Sequence, residues 1–369
     1  MMTSFKIRLV RSIDELEAYK EHWIRLSSLD SRDGFFRSWE WQIGWFKQFG
    51  QPESLYTLII LDDTNNVRGI VALVRYKYRN LPFGCTSLGF MGRDVVTGDY
   101  LDILAADDDK AYILSFVINW FLEQNEKFTI LTFGDVLRDS NSFSATQTIV
   151  QSKKPFIRFQ EHQVCPYIEL PESYDLYLKS LSKKFRSNVK YATRRAINKL
   201  NGQIVVNDDA AELNLALNDL FDLHVQRWKS KGVSCTFENE NFREFTKNVC
   251  QQLALNKKVR LYRLFIEGKK AAAILMFYWG ETAFFYQIGW DPSFAKYSPG
   301  VVLISKAIED AINMKKRYFD FLRGDESYKL KWTNMKRCTV TIMLSHKPMG
   351  HLLFASLSLK DWIKRLAKR

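Results

Sequence analysis

Between residues 282 and 323 the chain reads strand, break, helix, strand, and this order constrains the fold more than any other feature. "TAFFYQIGW" (282–290) is a β-rich aromatic run that Asp291 and Pro292 interrupt. "SPG" (298–300) then opens a helix. Ser298 is the expected N-cap, Pro299 suits the first helical position, and Val302, Ile304, Ser305, Ile308 and Ile312 follow at helical spacing. The cationic "KKR" (315–317) suits the negative pole at the helix end. "YFDFLR" (318–323) reads as the next strand. Such a crossover implies parallel strands, because antiparallel ones need only a tight turn. It brings the helix amino end to the carboxyl edge of the first strand, where free N–H groups favour an anion. Gly300 removes a side chain at that point and Lys296 adds a charge.

The stretch "DFLRGDESYKLKW" (320–332) follows directly and is dense in ionisable groups. Alternation along a strand puts Asp320 and Leu322 on one face and Phe319, Phe321 and Arg323 on the other. A carboxylate among such neighbours is costly to bury unpaired, so Asp320 needs a partner or a task. Gly324 breaks the strand, and Asp325 is placed to cap a short helix, "ESYKLKW", with Asp325–Lys329 and Tyr328–Trp332 each four apart. Two readings stand: a capped helix with an internal ion pair, or a functional cluster at the ligand edge of the sheet. On the second, Asp320, Asp325, Tyr328 and Lys329 are the catalytic candidates, and Arg323 grips an anionic substrate.

Two more segments are candidates for substrate contact. In "LHVQRWKSKG", His224, Arg227 and Trp228 share a helical face; His224 also continues the apolar series Leu213, Leu217, Leu220 and so reads equally as a core residue. Residues 178–200 carry Lys179, Lys183, Lys184, Arg186, Lys190, Arg194, Arg195 and Lys199 without one acid. That face suits an anionic ligand, with Lys184 and Arg186 as its contacts, or is simply solvated.

The formal net charge of +13 on 369 residues points to an anionic partner. The five cysteines are odd in number and scattered, without CxxC, and the five histidines are dispersed; a reducing compartment is expected, with no disulfide framework and no metal site. The longest apolar run, "AAAILMFYW" (271–279), is far short of a membrane span, and "MMTSFKIRLV" does not read as a signal peptide. A cytoplasmic protein is expected. Two strand–turn–strand patterns, 54–78 and 259–279, each follow a helical stretch. Duplication of an α/β unit is the preferred explanation, giving domains 1–165 and 166–345. Residues 346–369 read as a basic amphipathic helix that packs on the protein or lies on a membrane surface.

Four ordered motifs, "SKKFRSNVKYATRR", "LHVQRWKSKG", "GWDPSFAKYSPGVVLI" and "YFDFLRGDESYKLKW", together resemble the BioF2-like acetyltransferases. These form a branch of the GNAT superfamily that includes CelD-type proteins of cellulose biosynthesis and is related to the FemAB aminoacyl transferases. "FGCTSLGFMGRDVVTGDYLDIL" is similar to that family's first module. The resemblance implies an α/β (α+β) fold of tandem GNAT-like (acyl-CoA N-acyltransferase) domains, mixed central sheets flanked by helices, with the site in the second domain. It implies acyl transfer, with acyl-CoA as co-substrate and no metal, to an amine or hydroxyl of a small molecule, glycan or peptide, by a monomer. The donor phosphates would lie against Lys296, Ser298, Gly300, Val301 and Val302. GNAT enzymes carry a Q/R-x-x-G-x-G/A loop there, whereas this chain has Lys296-Tyr297-Ser298-Pro299-Gly300. FemAB relatives use aminoacyl-tRNA, which suits the basic 178–200 segment. A non-catalytic accessory role in exopolysaccharide production is the third reading.

Overall fold

The computed structural model describes residues 5–30, 32–77, 86–92, 98–124, 128–153 and 156–346, together with 350, 352, 354 and 355. The expected C-terminal amphipathic helix falls almost wholly outside the described residues, as does part of the 83–104 motif. The chain forms two compact units: Met1–Leu29, Phe36–Gln163 and Cys338–Arg369 make the first, and Asp30–Phe35 with Val164–Arg337 the second.

In the first unit, β1 (Lys6–Val10) is followed by α1 (Ile13–Glu17), α2 (Lys20–Ser28) and α3 (Trp39–Phe49). Next come β2 (Thr57–Leu61), β3 (Val67–Val71), β4 (Leu73–Lys77), β5 (Thr86–Phe90) and β6 (Leu104–Ala105). Helix α4 (Asp107–Glu123), β7 (Ile130–Leu137) and α5 (Asn141–Lys153) complete the run. β1, β2, β3 and β6 form one antiparallel sheet. The β2–β3 hairpin is the expected one. Its turn is held by Asp62, whose Oδ1 accepts the N–H groups of Thr64 and Asn66 at 3.0 and 2.9 Å. The apolar run after this turn, expected as one strand, is two: Ala72 separates β3 from β4, and β4 pairs instead with β5. Buried Ile113, Leu114, Val117, Ile118 and Phe121 give α4 its core face.

The second unit takes the end of β8 (Phe156–Glu169), then α6 (Tyr174–Ser180), α7 (Lys183–Arg194), β9 (Gln203–Asn207), α8 (Ala210–Lys229) and α9 (Glu240–Ala254). β10 (Val259–Ile266), β11 (Lys269–Trp279), β12 (Thr282–Trp290), α10 (Pro299–Asn313) and β13 (Tyr318–Asp320) follow, and β14 (Lys336–Ser345) starts at its end. The strand order in this unit is β8-β13-β12-β11-β10-β9. β10 and β11 turn through Glu267 (φ 51°) and Gly268 (φ 73°), two positive-φ residues in a tight hairpin. β11 is buried from Ala271 to Trp279 without alternation, the pattern of a strand covered on both faces. One cover is α10, whose Val302, Leu303, Ile304, Ala307, Ile308, Ala311 and Ile312 are buried. The mixed α/β architecture expected from the sequence is the one observed.

Contacts from Asp30, Asp33 and Phe35 tie the short segment 30–35 into this unit, and the Arg32 guanidinium lies over the Tyr318 ring at 4.1 Å. Phe35 stacks on Phe277 with ring centroids 4.5 Å apart. Trp279 Nε1 donates to the carbonyl of Asp30 at 3.0 Å. Asp33 accepts two guanidinium bonds from Arg337, at 2.9 and 2.6 Å. Among the described residues no helix is long and apolar enough to cross a membrane, and no group of His, Cys, Asp or Glu is arranged to hold a metal ion.

Candidate active site

The expected crossover exists: β12 and β13 are parallel, paired at Thr282–Tyr318, Ala283–Phe319 and Phe284–Asp320. Pairing stops there, while β12 runs on for six residues to Trp290. β13 ends because Leu322 adopts φ 58°, which turns the backbone out of extended geometry. The two strands part, and a cleft of about 290 Å³ lies beside the gap. Ile288 and Trp290, on one face of β12, form one wall. Ser298, Pro299, Gly300, Val301 and Ile304 bring the start of α10, Phe185 and Asn188 come from α7, and Arg227 from α8. Tyr328, Lys331 and Trp332 close it from the segment after β13.

The helix start differs from the expectation in detail. Ser298 makes no side-chain cap bond and sits in the left-handed region at φ 54°, an uncommon place for serine and more so ahead of proline. Pro299 is at the first helical position as expected. Val301 and Val302 N–H both bond the Ser298 carbonyl, at 2.9 and 3.3 Å. The donor left for a ligand is therefore the Gly300 N–H: Pro299 has none, Ser298 N–H bonds the Ala295 carbonyl, and Val302 is served by the helix itself. A side chain at Gly300 would stand 3.2 Å from Ile288 Cδ1, so glycine keeps the floor open. Lys296 is exposed, does not line the cleft, and lies over the Tyr297 ring at 5.0 Å.

Helix α8 reaches the cleft because Gly289 lets it approach: a Cβ there would meet His224 N at 2.4 Å. Arg227 is held between two indoles, its guanidinium carbon 5.7 Å from the Trp228 ring and 5.6 Å from Trp290. It donates to the Ile288 carbonyl at 3.3 Å. Burial pulls its pKa down, opposed by Tyr328 and Glu326. Burial raises the Tyr328 phenol, which stays protonated.

His224 and Trp228 stand behind Arg227 rather than in the cleft. Trp228 Nε1 donates to His224 Nε2 at 3.1 Å, and His224 packs edge-on against Phe237 at 5.0 Å. The accepting Nε2 fixes the Nδ1–H tautomer. Burial, then the Arg227 charge, lowers the His224 pKa to about 4. Because this lies below the ordinary value of 6.5, the unfolded chain binds the proton more strongly between the two. Stability is thus expected to fall as pH drops from about 6.5 to about 4, by roughly 3 kcal/mol from this group. Urea unfolding across that window should show the loss in the native chain and a shallower slope in His224→Gln; equal slopes would remove the burial argument.

The 320–332 cluster does not converge as the sequence suggested. Asp320 is buried and ion-paired to Arg337 at 2.6 Å, with Oδ1 accepting the Leu322 N–H at 2.7 Å. It lies outside the cleft lining. The helix expected after Asp325 is absent: Lys329–Lys331 form a single 3-10 turn, and Asp325 is exposed. Lys329 turns inward, donating to the Arg323 carbonyl at 2.6 Å and pairing with Glu326 at 2.9 Å, not with Asp325. Gly324 at φ 107° ends any helical continuation. Arg323 is half-buried and outside the lining. Arg186 caps α6, donating to the Lys179 carbonyl at 3.1 Å, and Lys184 is exposed. Of the residues singled out from the sequence, the cleft gathers Arg227, Ser298, Gly300, Val301 and Tyr328. It adds Phe185, Asn188, Ile288, Trp290, Lys331 and Trp332, of which Ile288 and Trp290 were legible as one face of a strand.

Residues 183–330, which span most of this unit, match a family model described as an acetyltransferase (GNAT) domain. No curated protein matches the chain. Among solved structures, FemX is similar in fold at a TM-score of 0.65 and 11% identity, over 91% of this chain and 98% of that one. A conserved protein of unknown function from Bacteroides thetaiotaomicron gives 0.56 and 12%, over 92% and 100%. L-PGS from Bacillus licheniformis gives 0.52 and 12%, over 97% and 98%. At such identities the likeness concerns the fold.

Proposed function

We propose that the protein is a GNAT-type acyltransferase that takes its acyl group from an acyl-CoA bound where β12 and β13 part. The observation that carries this reading is that parting itself, with the free Gly300 N–H, Arg227 and Tyr328 all facing one cleft. The diphosphate of the donor meets Gly300 and the amino end of α10, aided by Arg227. The thioester lies along Ile288 and Trp290. A nucleophilic amine or hydroxyl forms the bond to the acyl carbon, the carbon–sulfur bond breaks, and the electron pair leaves on sulfur. Tyr328, a phenol already protonated at neutral pH and made harder to ionise by burial, gives that sulfur its proton and is reprotonated by the one the nucleophile sheds. No carboxylate lines the cleft among the described residues, so this role passes from Asp320 and Asp325 to Tyr328. The motif resemblance to the BioF2-like and CelD-type branch supports an acceptor in cell-envelope or exopolysaccharide synthesis.

Acetyl-CoA at a hundred times its dissociation constant is expected to stabilise the fold by about 2.7 kcal/mol, seen as a rise in melting temperature. Incubation with an amine-rich lysate fraction should release free thiol. Neither effect with acetyl-, hexanoyl- or palmitoyl-CoA would sink the reading. The second reading, an aminoacyl-tRNA donor, is favoured by α7, whose Lys183, Lys184 and Lys190 are exposed and make no ion pair among the described residues. Steeply salt-dependent tRNA binding, lost in Lys183→Ala with Lys184→Ala, would select it.

A further inference from the structure

A second cleft of about 680 Å³ lies in the same unit, bounded by α6, the α6–α7 junction and residues 330–335. It shares Phe185, Lys331 and Trp332 with the first cleft. Phe185 and Trp332 meet edge to face with centroids 4.9 Å apart and form the wall between the two spaces. That wall is anchored, since Tyr177 Oη donates to the Trp332 carbonyl at 3.0 Å. Among the described residues, Lys331 alone of the charged side chains borders both clefts.

The lining of the second cleft is unusual for a solvent-facing surface. Leu176, Leu330 and Met335 are 49%, 43% and 38% exposed, and all three border it, from two separate segments. Scattered exposed apolar residues need no explanation, but a convergent set marks a binding surface. Lys331 and one acid, Glu169, are part of the lining; Lys179, Lys183, Lys184 and Arg186 adjoin its residues Ser180, Ser182 and Phe185, against Glu172 and Asp175 beside Pro171 and Leu176. These lysines are exposed and make no ion pair among the described residues. An apolar floor beneath a rim of mixed charge with a cationic excess is complementary to a hydrocarbon segment carrying an anionic group.

We infer that this second cleft binds the acceptor, and that the acceptor is an anionic amphiphile whose nucleophile reaches the donor at the Lys331 edge of the Phe185–Trp332 wall. The acceptor role rests on the acyl-transfer reading above; the binding of an anionic amphiphile does not. The probe is dodecyl phosphate, kept below its micelle concentration and titrated calorimetrically into the full chain. Single-site binding is expected, weakened at least tenfold in Leu330→Asp with Met335→Asp. Both positions are exposed, and circular dichroism checks that the double variant is folded. Acetyl-CoA binding should be unchanged in that variant, and acetyl-CoA should not displace dodecyl phosphate. Dodecyl maltoside, with no charge, and inorganic phosphate, with no chain, should each bind at least tenfold more weakly than the probe. Unchanged affinity in the variant, displacement by acetyl-CoA, or equal binding of the uncharged detergent would overturn the inference. Loss of acetyl-CoA binding in the native chain with dodecyl phosphate binding intact would fell the acyl-CoA reading and leave this site standing.

Discussion

Replacing Arg337 by methionine is expected to cost about 3–5 kcal/mol of stability, the usual result of leaving buried charge without its partner. Arg337 serves two carboxylates at once, Asp33 through both of its oxygens and Asp320 at 2.6 Å. All three side chains are buried. Burial raises the Asp33 pKa, and Arg337 is the main force opposing that rise. Methionine fills the volume of the arginine stem and supplies no charge, so two buried carboxylates lose their common partner. Urea unfolding at neutral pH measures the loss, and it should shrink as pH falls and Asp33, whose pKa burial raises, takes up a proton. Adding Asp33→Asn and Asp320→Asn to the variant should recover a large part of it, because no buried charge then remains uncompensated. A cost under about 1 kcal/mol for the single change would mean that water reaches the cluster and that the guanidinium is not what holds residues 30–35 in place.

The second large effect is expected at Arg227. Its guanidinium lies between Trp228 and Trp290 at the mouth of the candidate cleft. Arg227→Ala should lower kcat/KM for acyl transfer about 100-fold, near 2.7 kcal/mol, the worth of a charge-assisted contact made in a partly desolvated site. Most of it should appear in KM if the residue grips the donor equally before and during transfer. Arg227→Lys should not restore the rate, because an ammonium cannot present a fork. Unaltered kinetics in Arg227→Ala, with the fold intact by near-ultraviolet circular dichroism, would move the active site elsewhere.

Local chemistry made much of the fold legible. The parallel crossover from β12 through α10 to β13 and the Glu267–Gly268 hairpin follow from periodicity, turn residues and proline placement. The site was less legible, and for a physical reason. Asp320 was recognised as needing a partner, but that partner lies on β14 and shares its charge with Asp33, near the start of the chain. No pattern within a window of ten residues joins three such positions. The Asp325 helix failed because Gly324 and Leu322 both take positive φ and leave Lys329 free to turn inward onto a carbonyl. Arg227 and Tyr328 were found because helical spacing and motif density marked them. The place of Phe185 at a cleft wall depends on how α7 meets Trp332, which no local pattern carries.

The passage of residues 30–35 into the second unit carries a consequence for biogenesis. Phe35 and Asp33 leave the ribosome hundreds of residues before Arg337, with which Asp33 must finally pair. Until that guanidinium is translated the second unit lacks the pairing that secures the early segment, so the nascent chain holds that segment in waiting. A fragment starting at residue 164 would be made without the segment altogether, and should be rescued by a short peptide supplying it.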